Sequence, residues 1–449
     1  MRLSLRRSRA DAAAGAAMMA RFYPYYVVAC LMLASALSFL DRLVLALLID
    51  PIRADLGLTD TEVSLLAGAA FASCYVAFAF VFGRWVDVRG RRNAVVVGIS
   101  LWSLATAACG LAGNFGKMFV ARAAVGVGEA SLNPAAYSMI ADYFPLRKRG
   151  VGMAIYACGA SIGGGLAILL GGMVVQWAMT TEPCLPLMCH AAPWQVVFVV
   201  VGLPGLLVAA LFALTVHEPV RRYAASESAL PPSYREVWGH VRSNGSVFAL
   251  MFGGYALLGV SGYAFAVWGP AYFMRLHALS PADVGILFGV GYGGFGTLGV
   301  LLGGVICDRL RRVDAPVLVT LGAIVLQAPL FIGAYLAGSA MLAMLLFVAG
   351  MCAASMVAGM QAAMVQSLSI NRMRGMMAAM YGAVVTIAGL GIAPTATALL
   401  SDHVFGGPTG IGKALAVTSA AALGLAMILI LAGRSRAAAL ARRLQGEPA

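Results

Sequence analysis

Two of the 18 acidic residues in this 449-residue chain, Asp41 and Glu129, stand well inside apolar runs. Each has an arginine nearby. Arg42 follows Asp41 in "LMLASALSFLDRLVLALLIDP", and Arg122 precedes Glu129 by seven residues in "RAAVGVGEAS". A charge inside a hydrocarbon-length segment costs several kcal/mol, with estimates from about 2.5 upward. Burial favours a neutral carboxyl and a neighbouring arginine favours a charged one, so movement of either can release or capture a proton. This is the chemistry of proton coupling, and the arginines add a place for a charged substrate head group. The other reading of the same four residues is a structural ion-pair cluster. A buried pair is usually no more stabilising than an apolar replacement, which argues for the proton role.

The elements that hold these residues follow from composition. The chain is 61% hydrophobic and only 11% charged, with mean hydropathy +0.89. A soluble protein of this length needs far more charge to cover its surface. Runs of about 20 apolar residues recur throughout, the length that crosses a bilayer as helix. Strands of a membrane barrel, about 10 residues of alternating polarity, are excluded. The reading is an all-α membrane protein with twelve transmembrane helices. They are placed at 24–50, 62–83, 93–113, 117–142, 151–176, 194–216, 246–273, 283–305, 315–337, 341–368, 375–400 and 412–433. The basic, alanine-rich first 21 residues resemble a signal peptide, but the apolar run continues through Leu48, so a retained first helix is expected.

With the N-terminus in the cytoplasm, 25 of the 31 Lys and Arg fall on that side. Arg53, Lys117, Arg275 and Lys413 fall on the other, and Arg42 and Arg122 lie within helices. This is the positive-inside pattern, with both termini cytoplasmic. The net charge of +13 is then topological and implies no nucleic-acid partner. On this topology Asp41 and Glu129 lie roughly 14 and 18 Å below the same outer face, at about 1.5 Å per residue. Arg122 and Glu129 share a helix face, so all four charges are expected to converge on the first half's wall of a central cavity.

The chain divides around 217–245, the long polar interior stretch, into six-helix bundles at 1–216 and 246–449. The halves share landmarks. "GRWVDVRGRR" at 83–92 corresponds to "GVICDRLRR" at 304–312, and "RKRGVGMAIYACGASIGGG" at 147–165 to "RMRGMMAAMYGAVVTIAGLG" at 372–391. Their offsets, 221 and 225 positions, argue for a duplicated bundle with a site between the copies.

The series Gly83, Asp87, Gly90, Arg91, Arg92 resembles the signature between the second and third helices of the major facilitator superfamily. Val88 departs from the usual basic residue, whereas the second copy keeps Asp308–Arg309. "FLDR" and "RAAVGVGEAS" are similar to the spinster group of lysolipid and sphingolipid-phosphate transporters. The resemblance implies a two-bundle major facilitator fold and alternating access. It also implies a proton role for Asp41 and Glu129, with Arg42 and Arg122 toward the substrate. The signature loops are expected to form a cytoplasmic latch. Asp87 would face the start of the eleventh helix near Gly375, where the dipole is positive. Asp142 is within reach of Arg91 or Arg149. The fifth helix lacks the Pro that marks many superfamily antiporters, which leaves the direction of coupling open.

Met356, Met360 and Met364 recur every four residues, a stripe that suits a flexible acyl tail unless it packs between helices. Cys184 and Cys189 lie together in a loop on the oxidising side, where a disulfide or two free thiols would fit. "GPTGIGKA" at 407–414 lacks the hydroxyl residue a phosphate-binding loop needs for magnesium, and "GVGYGG" at 289–294 lacks a βαβ context. No metal-ligand spacing or catalytic triad stands out, so no enzyme, metal or cofactor is expected. The expected protein is a monomeric, proton-coupled transporter of an amphipath such as a lysophospholipid or sphingosine-phosphate-like lipid. A small organic anion or drug, an uncoupled lipid facilitator and a membrane sensor remain alternatives. Arg outnumbers Lys, and Ala and Gly abound, which suggests a high-GC bacterium and its inner membrane. Reporters fused after Arg221 or Arg311 should read as cytoplasmic and those within 181–190 as periplasmic. A periplasmic reading at Arg221 would overturn the helix count.

Overall fold

Hydrocarbon offers no partner for a free backbone amide, so a spanning chain of this composition must satisfy its hydrogen bonds within helices. The computed structural model describes residues 2–144, 149–181, 183, 191–219, 234–310, 312–370, 373–407 and 409–445. Among them the regular structure is helical throughout, with no strand. Among the described residues eleven helices are long and apolar enough to cross a membrane. We label the spanning segments α1 (Arg2–Leu47), α2 (Asp60–Val86), α3 (Arg91–Cys109), α4 (Phe115–Glu129 and Leu132–Tyr143), α5 (Arg149–Thr181) and α6 (Pro193–Thr215). In the second half they are α7 (Gly245–His277), α8 (Pro281–Leu310), α9 (Ala315–Leu336), α10 (Ala340–Ser367), α11 (Arg374–Phe405) and α12 (Gly410–Gln445). The fourth segment is divided, because its ladder breaks at Ala130 and Ser131, immediately after Glu129.

Local chemistry sets many of the helix starts. Thr59, Asn114, Ser280 and Ser339 cap α2, α4, α8 and α10 by accepting a hydrogen bond from a first-turn amide. All four lie on the arginine-poor face. The duplication is visible in the irregularities as well. π-helical turns begin at Leu65 in α2 and at Val290 in α8. The helix breaks at Ser131 in α4 and at Met356 in α10. Both pairs are 225 positions apart, so the backbone repeats the offset of the Arg-Gly landmarks. A short helix, Tyr234–Ser243, precedes α7.

The two halves meet toward the arginine-poor face. One apolar core runs through the first half and continues into Phe265, Trp268, Phe288, Phe347 and Leu390 of the second. A separate core fills the remainder of the second half around Met251, Tyr255, Ile324 and Met377. Close backbone approach accompanies the shared core: a Cβ on Gly172 of α5 would lie 2.4 Å from the Pro281 carbonyl oxygen at the start of α8. The hydrogen bonds that join the halves among the described residues lie at this end too. Arg275 of α7 donates to Asp50 beyond α1 (2.6 and 2.8 Å) and to Asp60 of α2 (2.7 and 2.9 Å). Thr61 donates to Asp402, and Ser64 to Thr395.

Arg275 is therefore a clamp across the arginine-poor face, its two carboxylate partners 225 and 215 positions away in sequence. Arg275→Gln should favour opening at this face about tenfold, the loss of one charge-assisted contact. Ser64→Cys places a thiol at a fully buried interface position, and its labelling rate reports the opening. An unchanged rate would show that apolar contacts alone keep the face closed.

Candidate functional site

α4 can press against its neighbours only because small residues occupy the contact. A Cβ on Gly126 would lie 2.4 Å from the Phe71 carbonyl oxygen of α2, and one on Gly128 would lie 2.6 Å from the Trp102 amide nitrogen of α3. The glycines of "RAAVGVGEAS" thus bring Arg122 and Glu129 flush against the first three helices. Glu129 accepts from Arg42 in an ion pair and from the Ser38 hydroxyl at 2.6 Å. Its side chain is 1% exposed, whereas that of Arg42 is 17% exposed. The Arg42 guanidinium lies over the Phe71 ring, 4.5 Å from its centroid, with Phe39 and Tyr75 at 5.5 and 5.8 Å.

The four expected charges do gather, but they do not share one wall. Asp41 and Arg122 are buried inside the first half, 2% and 0% exposed. Arg122 donates to the backbone oxygens of Asp41 (3.2 Å) and Leu66 (3.3 Å) and forms no described salt bridge. The Asp41 Oδ1 is buried without a hydrogen-bond partner, as are Trp102 Nε1 and Thr106 Oγ1 of α3. The reason is rotational: successive helical residues diverge by about 100°, so Arg42 at the cavity edge forces Asp41 into the bundle. Arg122 is consequently not placed to meet a head group in this conformation. Ser38, Tyr75 and Asn133 are the polar residues that sequence reasoning missed. Asn133 links Tyr75 (3.2 Å) to Tyr156 (2.8 Å), and only their position near the charged motifs could have drawn notice.

The methionine stripe is a second correction. Met356, Met360 and Met364 are 9%, 5% and 2% exposed and pack in the second half's own core with Val317 and Ile324. A shared helix face says nothing about which neighbour it meets, and here that neighbour is α9.

Two of the residues expected in the latch, Arg91 and Asp142, meet each other within the first half. Arg91 is 2% exposed, pairs with Asp142, and donates to Glu218 at 2.8 Å and to the Pro219 carbonyl at 2.6 Å. Gly90 is the N-terminal cap of α3, and the Arg92 amide donates to Glu218 at 2.8 Å. These contacts fasten the chain after α6 to the first half. Gly83 has open space at its Cβ position. Asp308 and Arg309 are exposed and form no described salt bridge. The side chains of Asp87 and Arg149, and the residues Cys184 and Cys189, lie outside the described residues. No cluster able to hold a metal occurs among the described residues.

Residues 31–395 match the Major Facilitator Superfamily. The chain belongs to this family of transporters. Its superfamily relatives include an "MFS-type efflux pump" of Mycolicibacterium smegmatis, 27% identical over 401 residues, 88% of this chain and 89% of the relative. Protein spinster homolog 1 of Xenopus laevis is 27% identical over 347 residues, 72% of this chain. The match spans 62% of that protein, just under two thirds of its length. Among superfamily structures, the crystal structure of a bacterial homolog to the human lysosomal transporter spinster, inward-facing and unoccupied, superposes with TM-score 0.77. It is 23% identical, and the match covers 95% of this chain and 99% of that one. The spinster resemblance of the two sequence motifs thus has counterparts in both comparisons.

Glu218 supplies a pH test of the network around Arg91. Burial pushes its carboxyl up, but the Arg92 amide and the Arg91 guanidinium outweigh burial and hold it below the usual carboxylate range. A carboxyl depressed on folding contributes stability above its unfolded value, about 4.3, and loses it as pH falls through the folded value. Glu218→Gln should therefore lower the melting temperature modestly at pH 7, with the gap to the parent closing below about pH 4. A gap independent of pH would mean that Glu218 acts through packing alone.

Proposed function

We propose that the protein is a proton-coupled transporter of a single-chain amphipath, working by alternating access. The observation that carries this reading is the Arg42–Glu129 pair, closed on one side by Ser38 and set among Phe39, Phe71 and Tyr75 at a partly exposed position. Such a cation can meet an anionic or zwitterionic head while the rings meet the adjoining methylenes. Coupling follows from competition. An anion that pairs with Arg42 takes the partner of Glu129, and a buried carboxylate without a partner is stabilised by a proton. Proton and anion then favour each other's binding by the same factor, as linkage requires. Asp41, buried with an unpartnered oxygen, is the second carboxyl of the proposed proton path. Arg122 would hold the backbone at Asp41 and Leu66 in place, rather than meeting the substrate.

Closure at the arginine-poor face by Arg275 would alternate with closure at the other face, where the signature residues Asp87, Asp308 and Arg309 fit a latch. The charge bias supports cytoplasmic termini and an inner-membrane location. The extended match to an efflux pump supports a second reading, export of a small molecule or drug.

Proteoliposome flux separates these readings. Glu129→Gln should keep exchange but lose pH-driven accumulation, because Arg42 no longer competes with a titrating group. Arg42→Ala should weaken binding at least about tenfold, the scale of truncating one partner of a buried charge contact. A lysophospholipid should compete better than its diacyl analogue or its free head group. Equal competition by the free head group would sink the lipid reading, and full pH-driven accumulation by Glu129→Gln would sink the coupling.

A further inference from the structure

Lipid tails cover the exposed apolar side chains of the spanning segments, but Trp238 stands on none of those segments. It is 60% exposed on the short helix Tyr234–Ser243. Arg235 and Arg242, three residues before and four after it, share its helix face and are also exposed. Neither forms a salt bridge among the described residues. Gly239, next to Trp238, has open space at its Cβ position. The other side of the helix is fixed to the second half. Val237 is 2% exposed in its core, and His240 donates to the Leu368 carbonyl at 3.0 Å and meets the Phe248 ring edge-on. Held in this way, the helix presents Arg235, Trp238 and Arg242 away from the bundle.

The depth of this face follows from α7. Its 33 residues reach about 50 Å at about 1.5 Å each. Hydrocarbon takes about 30 Å of that, and the headgroup layers bring the bilayer to about 40–45 Å. The last turn of α7 carries Arg275 at the arginine-poor face. Its first turn therefore emerges through the headgroups of the other leaflet, and the chain leaves helical geometry there at Asn244 (φ −118°, ψ 29°). An indole suits that layer, and arginines in it meet phosphate. Positive charge at this end is in surplus. Arg436, Arg442 and Arg443 of α12 are exposed too, on a helix whose Leu440 joins Val237 and Leu368 in one core. Of the nearby acids, Asp314 is taken by Arg312 and Arg434, and Glu236 is not free.

We propose that the face formed by Arg235, Trp238 and Arg242 is a docking surface for anionic phospholipid of the arginine-rich leaflet. The guanidiniums take headgroup phosphates while the indole lies among the glycerol and ester groups. The lipid thereby ties the chain that joins the two halves to the membrane edge of the second half. This surface is outside the transport pathway and stands whichever molecule is carried.

The test uses the full-length protein in phosphatidylcholine nanodiscs that contain a minority of lipid brominated near the top of its chains. The fluorescence of Trp238 is the difference between the parent and Trp238→Phe. Brominated phosphatidylglycerol should reach half of its quenching at a mole fraction about tenfold below that of brominated phosphatidylcholine, the scale of two arginines at an anionic surface. Arg235→Gln combined with Arg242→Gln, both at exposed positions, should erase this preference, and high salt should weaken it. Arg42→Gln should leave it intact. Equal quenching by the two lipids, or a preference that survives the paired change, would overturn the proposal. So would loss of the preference in Arg42→Gln, which would assign it to the transport pathway. Strong quenching by aqueous acrylamide in the phosphatidylglycerol discs would put the face in water, and protection from acrylamide and bromine alike would put a second protein chain on it. Either result would also sink the lipid surface.

Discussion

The ion pair between Arg42 and Glu129 is the contact on which the arrangement of the first half depends. It ties α1 to α4 in a low-dielectric interior, where removing one partner of a buried pair costs about 3–5 kcal/mol. Everything nearby serves to make that pair possible. Gly126 and Gly128 let α4 approach α2 and α3 closely. Ser38 satisfies part of the carboxylate, and Phe71 shields the guanidinium while the rest of that side chain keeps some exposure. The ladder of α4 breaks just beyond Glu129, so the carboxylate of the pair sits next to the least regular backbone of that segment.

The same constraint explains why Arg122 and Asp41 are unlike the pair they flank. Arg122 has exchanged a carboxylate for two backbone oxygens, and the Asp41 carboxyl has one oxygen without a partner. Buried groups left incompletely paired are costly, and such a cost persists in a native protein chiefly where it is used. Asymmetry between the halves is of the same kind. The first half pairs its buried Arg91 with Asp142 and Glu218, and the second holds its apolar core with methionines and leaves Arg374 exposed. One duplicated backbone thus carries charge in one copy and accommodating apolar surface in the other.

Composition, the spacing of apolar runs and the paired landmarks were enough to determine an all-α membrane protein of twelve segments built as a repeat. They also singled out Asp41, Arg42, Arg122 and Glu129, because a charge in hydrocarbon is conspicuous whatever surrounds it. Arg91 with Asp142 was legible for a related reason: both belong to helix ends whose facing positions the repeat and the loop lengths bring near. Tertiary structure alone decided which way each side chain turns. Asp41 and Arg42 are neighbours in sequence yet occupy different environments, and the stripe of Met356, Met360 and Met364 faces α9 instead of a cavity. The clamp of Arg275 on Asp50 and Asp60 was equally hidden, since these are ordinary loop-end charges until two halves more than 200 positions apart are docked. Periodicity specifies which residues share a face of one helix. It carries no information about the neighbour that face will meet, because that depends on packing between helices.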